Sequence, residues 1–463
     1  MAKKSYAVDM CHGPLTGQII RFVIPLMISG ILQLCFHSAD LVVIGRLASH
    51  RALAAVGATV SLSALLINVF IGLSIGTNVL VARALGEKNR RKVFNAVHTA
   101  VMTGIAGGVL LAVIGVAFSR PLLKMMGTPA DILDMSALYM DICFAGMPLM
   151  MVYNFGSAVL RAMGDTTRPF YFLLTGGVVN VLLNLFFVLV FKWDVAGVAT
   201  ATVIAQGVSA VLVIGVLCRM RGSCRLFLKR LQLEKKSLKE MMKIGIPAGF
   251  QASCFSLSNI LIQSSINTFG SAAIAGQTAA GSWENISYIT VNAIGTAAVS
   301  FVGQNLGGKK FDRIRRTNMI CITMACICAV VISAFLLICG RSLISVFNTD
   351  PEVLEYGVRR FVIVVPLLFV CGLMEVITGT LRGLGHSLSP SVMTVFCVCV
   401  LRVIWIFTIF RVHPTLEMLL LSYPVTWIIN TAGLIYLLRY VMKKVTAPED
   451  ELRKIHPADM IRR

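Results

Sequence analysis

Twelve stretches of this chain are apolar over about 20 residues each, the length of helix that crosses a bilayer core; they fall at roughly 16–44, 52–80, 94–118, 136–160, 168–191, 196–218, 241–268, 272–300, 316–340, 356–381, 391–411 and 416–440. Hydrocarbon offers no water to an unpaired backbone group, so the stretches must be helices. Barrel strands would be shorter and would alternate apolar with polar. Only 14% of residues are charged, against about a quarter in soluble domains, and no loop is long enough to hold a soluble domain. The expected class is an all-α integral membrane protein of twelve helices.

The twelve are six, repeated. Leu160-Arg161-Ala162-Met163-Gly164-Asp165-Thr166-Thr167-Arg168-Pro169 is echoed 221 positions later by Leu381-Arg382-Gly383-Leu384-Gly385-His386-Ser387-Leu388-Ser389-Pro390. Ile24-Pro25 pairs with Ile246-Pro247, Gly76-Thr77 with Gly295-Thr296, and Leu85-Gly86-Glu87-Lys88 with Leu306-Gly307-Gly308-Lys309. In membrane proteins such halving is typical of transporters, whose site lies between two similar bundles. The reading is an N-terminal segment over 1–15, a first lobe over 16–218, a linker over 219–240, a second lobe over 241–440 and a tail over 441–463.

A net charge of +21 would suit a nucleic-acid binder, but its distribution argues against one. Lys and Arg crowd alternate connections, among them Arg83 to Lys92, Arg219 to Lys243 and Lys309 to Arg316, together with the N- and C-terminal segments. The opposite connections hold few: Arg46, Arg51, Arg120, Lys124, Lys192, Arg341, Arg359, Arg360 and Arg411. By the positive-inside rule both termini are expected in the cytoplasm of a bacterial cell, the chain crossing the inner membrane many times. Basic loops beside anionic lipid account for the charge with no nucleic acid. No cleavage site follows a short apolar core near the N-terminus, so no signal peptide is expected. The linker mixes Leu226, Phe227, Leu228 and Leu231 with basic residues, which fits either an amphipathic surface helix or a solvated connection. The proline-containing end after Tyr440 reads as a loose tail.

Several motifs carry no chemistry. The 13 cysteines lack metal-ligand spacing and read as free thiols, so no resident metal or cofactor is expected. Gly303-Gln304-Asn305-Leu306-Gly307-Gly308-Lys309 has P-loop spacing, but Lys310 stands where Ser or Thr would hold magnesium and no strand precedes it; it reads as a helix-ending turn with glycines in left-handed positions. A membrane enzyme would need clustered His or acids, and His12, His50, His98, His386, His413 and His456 are scattered.

What remain are polar groups inside spans, costly there and usually functional or paired. Asp40 in the first span is accompanied by amides at comparable depth: Asn180 and Asn184, spaced i,i+4 on the fifth, with Asn68 and Asn154 on the second and fourth. Carboxylate and amide oxygens suit sodium, and a carboxylate taken out of water suits a proton equally; an interfacial acid is the plainer alternative. His37 lies one turn before Asp40 and either tunes it or packs. In the second half, Glu375 matches Asn154, Arg402 lies beside the position matching Asn180, and a 219 offset matches Asn259 to Asp40. Glu284 and Glu375 are the candidate partners of Arg402, in a structural salt bridge or in a second cation or substrate site. Mid-span prolines and glycines, Pro25, Gly30, Pro148, Pro247, Gly249 and Pro366, are where spans can bend.

Taken together, Ser38-Ala39-Asp40-Leu41-Val42-Val43-Ile44-Gly45, Leu53-Ala54-Ala55-Val56-Gly57, Val81-Ala82-Arg83-Ala84-Leu85-Gly86, the decamer from Leu160, Gly303-Gln304-Asn305-Leu306-Gly307 and Gly379-Thr380-Leu381-Arg382-Gly383-Leu384-Gly385 resemble the multidrug and toxic compound extrusion (MATE) transporters of bacteria over nearly the whole chain. The resemblance implies two six-helix lobes related by a pseudo-twofold axis, a cavity of alternating access, and monomeric export of cationic amphipathic drugs against inward sodium or protons. Carried over, the family's ion site would use Asp40, Asn180, Asn184 and Thr202. This chain departs in having Asn184 where many members have a second acid, and Gln251 to Ser256 where others place an acid early in the seventh span. A lipid-linked precursor flippase of the same superfold is the alternative, for which a more cationic cavity is expected, whereas one buried arginine, Arg402, is read in these spans.

Overall fold

A computed structural model describes residues 8–47 and 50–446, without the side chains of 46, 47, 50, 53, 60, 61, 64–66 and 446. Expectations for the N-terminal residues before 8, for His456 and for the rest of the tail after 446 lie outside the described residues, as do those for the side chains of Arg46 and His50. Those described are helical throughout, with no strand. The first bundle holds α1 (Leu15–Leu47), α2 (His50–Gly86), α3 (Arg90–Met125), α4 (Ala130–Ala145), α5 (Met147–Ala162), α6 (Thr167–Leu189) and α7 (Val195–Arg219). The second holds α8 (Lys235–Asn267), α9 (Ser271–Gly307), α10 (Phe311–Ser345), α11 (Pro351–Val364), α12 (Leu368–Gly383), α13 (Leu388–Thr394), α14 (Leu401–Trp405) and α15 (Leu416–Thr446).

These fifteen make twelve crossings. The α4–α5 pair is one span bent by 46° ahead of Pro148, and α11–α12 is one span passing through a 3-10 turn at Pro366. The α13–α14 span runs through two π-helical stretches, Val395–Val400 and Ile406–Phe410. Alone among the twelve, α8 is too polar to qualify as a span by apolarity, because Gln251, Ser253, Ser256, Ser258 and Gln263 interrupt it. It is covered by α2, α3 and α13.

The repeat is visible in the backbone. Gly164 and Gly385 both take φ +86°, and Lys88 and Lys309 both take φ 54°. Each decamer ends a helix in the same way: Gly164 N donates to Arg161 O and Asp165 N to Leu160 O, while Gly385 N donates to Arg382 O and His386 N to Leu381 O. A left-handed residue after the last turn satisfies otherwise orphaned carbonyls, and glycine does so without a Cβ clash. Thr166 Oγ1 then donates to Phe22 O at 2.9 Å, and Ser387 Oγ to Ile244 O at 2.7 Å. In the near-P-loop the left-handed residue is Lys309, whereas Gly308 has φ −79°, so the turn is there but not on a glycine.

Each bundle's first helix starts on the other bundle. The beginning of α1, with Leu15, Ile19, Phe22 and Val23, packs into a core with Ala297, Phe301 and Val376, and the rings of Phe22 and Phe301 meet edge to face at 5.6 Å. Met241 at the start of α8 belongs to the core of the first bundle. Between the bundles α2 and α8 lie backbone to backbone. A Cβ on Gly72 would stand 2.2 Å from Gly249 N, one on Gly76 2.2 Å from Met241 O, and one on Gly307 2.1 Å from Arg83 O. Small residues permit this approach where lipid supplies no hydrophobic push. The lobes therefore meet at the face carrying the basic loops.

The linker forms no amphipathic helix. It makes one 3-10 turn, Leu228–Arg230, and is pinned to α3: Phe227 N donates to His98 Nε2 at 3.1 Å, Asn95 Nδ2 to Glu234 Oε1 at 2.7 Å, and Glu234 N to Thr99 Oγ1 at 3.1 Å. Cys224 and Leu226 are buried and anchor the connection into the bundle with half-buried Leu231, while Phe227 and Leu228 stay exposed; burial pushes the Cys224 thiol up to about 12.

Overpacking a close seam costs about 1–3 kcal/mol. Gly76→Val is accordingly expected to part the lobes at the basic face. Spin labels near the ends of α2 and α8 there should move apart; an unchanged distance distribution would contradict the seam.

Candidate functional site

Between the bundles lies a cavity of about 860 Å³, lined by both halves. Its walls include Phe36, Met150, Phe255 and Ile289 as apolar surface. Its charged or titratable lining includes His37, Asp40, Arg161, Glu375 and Arg382.

Gly177 lets α1 and α6 approach: a Cβ there would stand 1.9 Å from the ring of Phe36. This brings Asp40 to Asn184, whose Nδ2 donates to Asp40 Oδ1. The same amide lies 3.4 Å from Asn180 Oδ1, and Asn180 Nδ2 donates to Thr202 Oγ1 of α7 at 3.2 Å. Asp40, Asn184, Asn180 and Thr202 thus form one continuous polar chain across three helices. Asn184 Oδ1 is enclosed without a hydrogen-bond partner, and Tyr139 and Cys143 of α4 stand near the carboxylate. An orphaned amide oxygen beside a carboxylate is a donor set that a hard cation would complete.

Asn68 and Asn154 also line the cavity. Asn68 Nδ2 crosses the lobes to Ser256 Oγ at 3.2 Å, and Asn154 donates to its own helix at Met150 O, 3.0 Å. Deeper in the seam Asn78 and Ser300 bond each other at 2.9 Å. Asn259 is exposed and lies outside the cavity. The 219 offset belongs to α2 and α9; the prolines of α1 and α8 are 222 apart, and that register puts Ile262, 1% exposed, opposite Asp40.

Arg402 pairs with neither Glu284 nor Glu375. Glu284 is held by Arg360 on two bonds, Nε to Oε1 at 2.9 Å and Nη2 to Oε2 at 2.8 Å, with Arg360 Nη1 on Gln277 Oε1 at 3.2 Å. Arg360 is therefore no loop residue but a nearly buried member of α11. Arg402 lies 4.3 Å over the ring of Tyr423 and donates through Nε to Thr426 Oγ1 at 3.1 Å. Arg360 takes the same ring at 5.4 Å. In the 222 register Arg402 stands where the first lobe has Asn180, and Thr426 serves it as Thr202 serves Asn180. The second lobe carries a tethered cation in place of that amide. Glu375 lines the cavity and makes no ion pair within 4.0 Å among the described residues.

Sequence reasoning missed Arg161 and Arg382. Both belong to the repeated decamer, whose paired arginines were the available signal. The spans thus hold four enclosed arginines, not one, but Asp40 and Glu375 keep the cavity from being cationic on balance.

Residues 25–186 and 247–408 each match the family model MatE, over equal lengths and 222 positions apart. Among curated relatives, the probable multidrug resistance protein YoeA of Bacillus subtilis (strain 168) is 31% identical over 81% of this chain and 83% of its own. The FAD transporter of Shewanella oneidensis is 24% identical over 94% and 98%. A solved superfamily transporter from Pyrococcus furiosus, described as having a binding pocket of reversed polarity, superposes with a TM-score of 0.89 at 20% identity, covering 96% of this chain and all of its own; at that identity it shows the shared fold.

Removing one partner of a buried ion pair costs about 3–5 kcal/mol. Glu284→Gln should therefore lower the melting temperature in detergent markedly, and Glu284→Leu with Arg360→Met should recover part of the loss. An unchanged melting point in the single variant would contradict a stabilising pair.

Proposed function

The chain belongs to the MatE family, a family of multi-pass membrane transporters rather than enzymes, and from that premise we propose that it is a secondary active multidrug efflux antiporter, exporting cationic amphipathic compounds against inward Na+ or H+. The observation that carries this reading is the Asp40–Asn184–Asn180–Thr202 chain, opening on the same cavity that both lobes line. A cargo and a coupling ion that compete for one cavity can exchange only if the cavity is exposed to one side at a time, and the glycine seam closes one end. The relatives' names differ in cargo, multidrug in one and FAD in another, so the cargo is argued from this chain's own residues. The curated multidrug names do not favour the flippase alternative.

The basic face is assigned to the cytoplasm of a bacterial inner membrane by the positive-inside rule, which puts the cavity open outward in this structure and both termini inside. Monomeric action follows from a cavity completed within one chain. Sodium would take the carboxylate of Asp40 together with the free oxygen of Asn184; a proton would take the carboxylate alone. Asp40→Asn should abolish resistance and dye efflux with expression retained, and continued export by that variant would remove Asp40 from the coupling. In wild-type vesicles, efflux of a fluorescent cation under an imposed sodium gradient and then a proton gradient identifies the ion; transport driven by neither would overturn antiport.

A further inference from the structure

We propose that the closed end of the cavity seats an anionic group, phosphate or carboxylate, between Arg161 and Arg382, so that the cargo extends to amphiphiles carrying such a group. The proposal rests on the reading of this cavity as the cargo site and deepens it.

The four enclosed arginines of the spans divide into two kinds. Arg360 and Arg402 do not line the cavity, and both have partners: a carboxylate on two bonds for the first, an aromatic face and a hydroxyl for the second. Arg161 and Arg382 do line it, and in both the Nε is shut off without a hydrogen-bond partner. Arg382 spends one donor on Gln251 Oε1 at 2.9 Å. The Arg161 guanidinium makes no hydrogen bond or ion pair among the described residues, and the titratable group acting on it is Tyr153 rather than an acid. A guanidinium carries five donors, and leaving them unmet out of bulk water is costly. Among these four arginines that cost is met at Arg360 and Arg402 and left standing at the two that line the cavity.

The placement is that of a subsite. Arg161 lies in the last turn of α5 and Arg382 in the last turn of α12, 221 positions apart in the repeat, one from each lobe. Both stand at the level where the lobes meet: Gln304 Nε2 reaches across to Ala162 O at 3.4 Å, and Gln251 sits on α8 next to the glycine seam. Glu375 lies two turns up α12 from Arg382, roughly 10 Å along the axis. It acts on Arg382 through space without a contact ion pair, so Arg382 is partly compensated, whereas no acid acts on Arg161. Asp40 is taken by Asn184. The cavity is therefore dipolar, with acids further from its floor, arginines at the floor and apolar walls between them. A planar fork of donors recognises phosphate and carboxylate oxygens in pairs, and two forks from opposite lobes can share one such group.

The test uses the full chain in lipid nanodiscs at low salt and two matched probe pairs. Flavin mononucleotide and riboflavin differ only by a phosphate; the free acid of rhodamine 6G and rhodamine 6G itself differ by a carboxylate against its ester. The anionic member of at least one pair is expected to bind about tenfold or more tightly, the scale of a charge-assisted hydrogen bond, with the preference fading as salt rises. The pair that shows it identifies phosphate or carboxylate as the group seated. Arg161→Gln and Arg382→Gln should each erase the preference, and Arg161→Lys and Arg382→Lys, which keep the charge and report on folding, should retain most of it. Equal binding within both pairs by the wild type, or a preference that survives in both Gln variants, would overturn the subsite. Export of rhodamine 6G by wild-type vesicles is read separately: export with equal binding sinks the subsite and leaves the exporter reading, whereas preference without export does the reverse.

Discussion

Backbone contact between α2 and α8 governs the rest of the molecule. Lipid is as apolar as leucine, so two helix bundles gain little by burying apolar side chains against each other; they hold through close packing and interhelical hydrogen bonds. Glycines at 72, 76, 245 and 249 bring these two backbones together and Asn68–Ser256 ties them with a polar bond, while Gly307 and Ser300 of α9 extend the contact along α2 at Arg83 and Asn78. A contact built from small residues and a few hydrogen bonds has little apolar surface to lose on parting. It closes one end of the cavity, and the apolar contact between the bundles is left to the crossings of α1 and α8.

The duplication preserves this scaffold and divides the chemistry. The turns after α5 and α12 keep the same glycine conformation, the same two backbone bonds and the same hydroxyl contact to the first helix of the lobe. The polar face of Asp40 and Asn180 does not survive copying: opposite Asp40 is buried Ile262, and opposite Asn180 is Arg402 stacked on Tyr423. A guanidinium fixed at that place repels a second cation, and the pair of Glu284 and Arg360 behind it is neutral by itself. Two π-helical stretches flank Arg402, and such windings often mark sites where side chains have been re-aimed.

How much of this could be read from the residues follows from what periodicity encodes. Span length and the count of twelve follow from runs of apolar residues, and the repeat from residue order; 241–268 reads as an apolar stretch although its glutamines and serines make α8 the most polar of the twelve. Asp40, Asn180 and Asn184 were legible because ionisable and amide groups are rare in spans, whereas Thr202 came only with the family resemblance. Facing was not legible. Helix register drifts between copies by a few residues, so an offset taken from α2 and α9 placed Asn259 on Asp40's face when it belongs elsewhere. Arg360 was taken for a loop residue because it lies near the start of a span, where a long side chain can snorkel to water or, as here, turn inward to Glu284. The linker's mixture of leucines and basic residues left an amphipathic surface helix and a solvated connection both open, because sequence does not tell Leu226, which is buried in the bundle, from Leu228, which is exposed.

The swap of the first helices ties these parts together. α1 begins in a core with α9 and α10 of the second bundle and ends at Asp40 against α6 of the first, so a single unbroken helix joins the lobe interface to the carboxylate. α8 repeats the crossing in the opposite sense, from Met241 in the first bundle to Ile262 in the second, but carries no acid at its far end. The asymmetry of the charged residues thus leaves one of two similar crossing helices joining a carboxylate to the contact between the lobes, while its copy runs from Met241 to buried Ile262 and ends on apolar side chains.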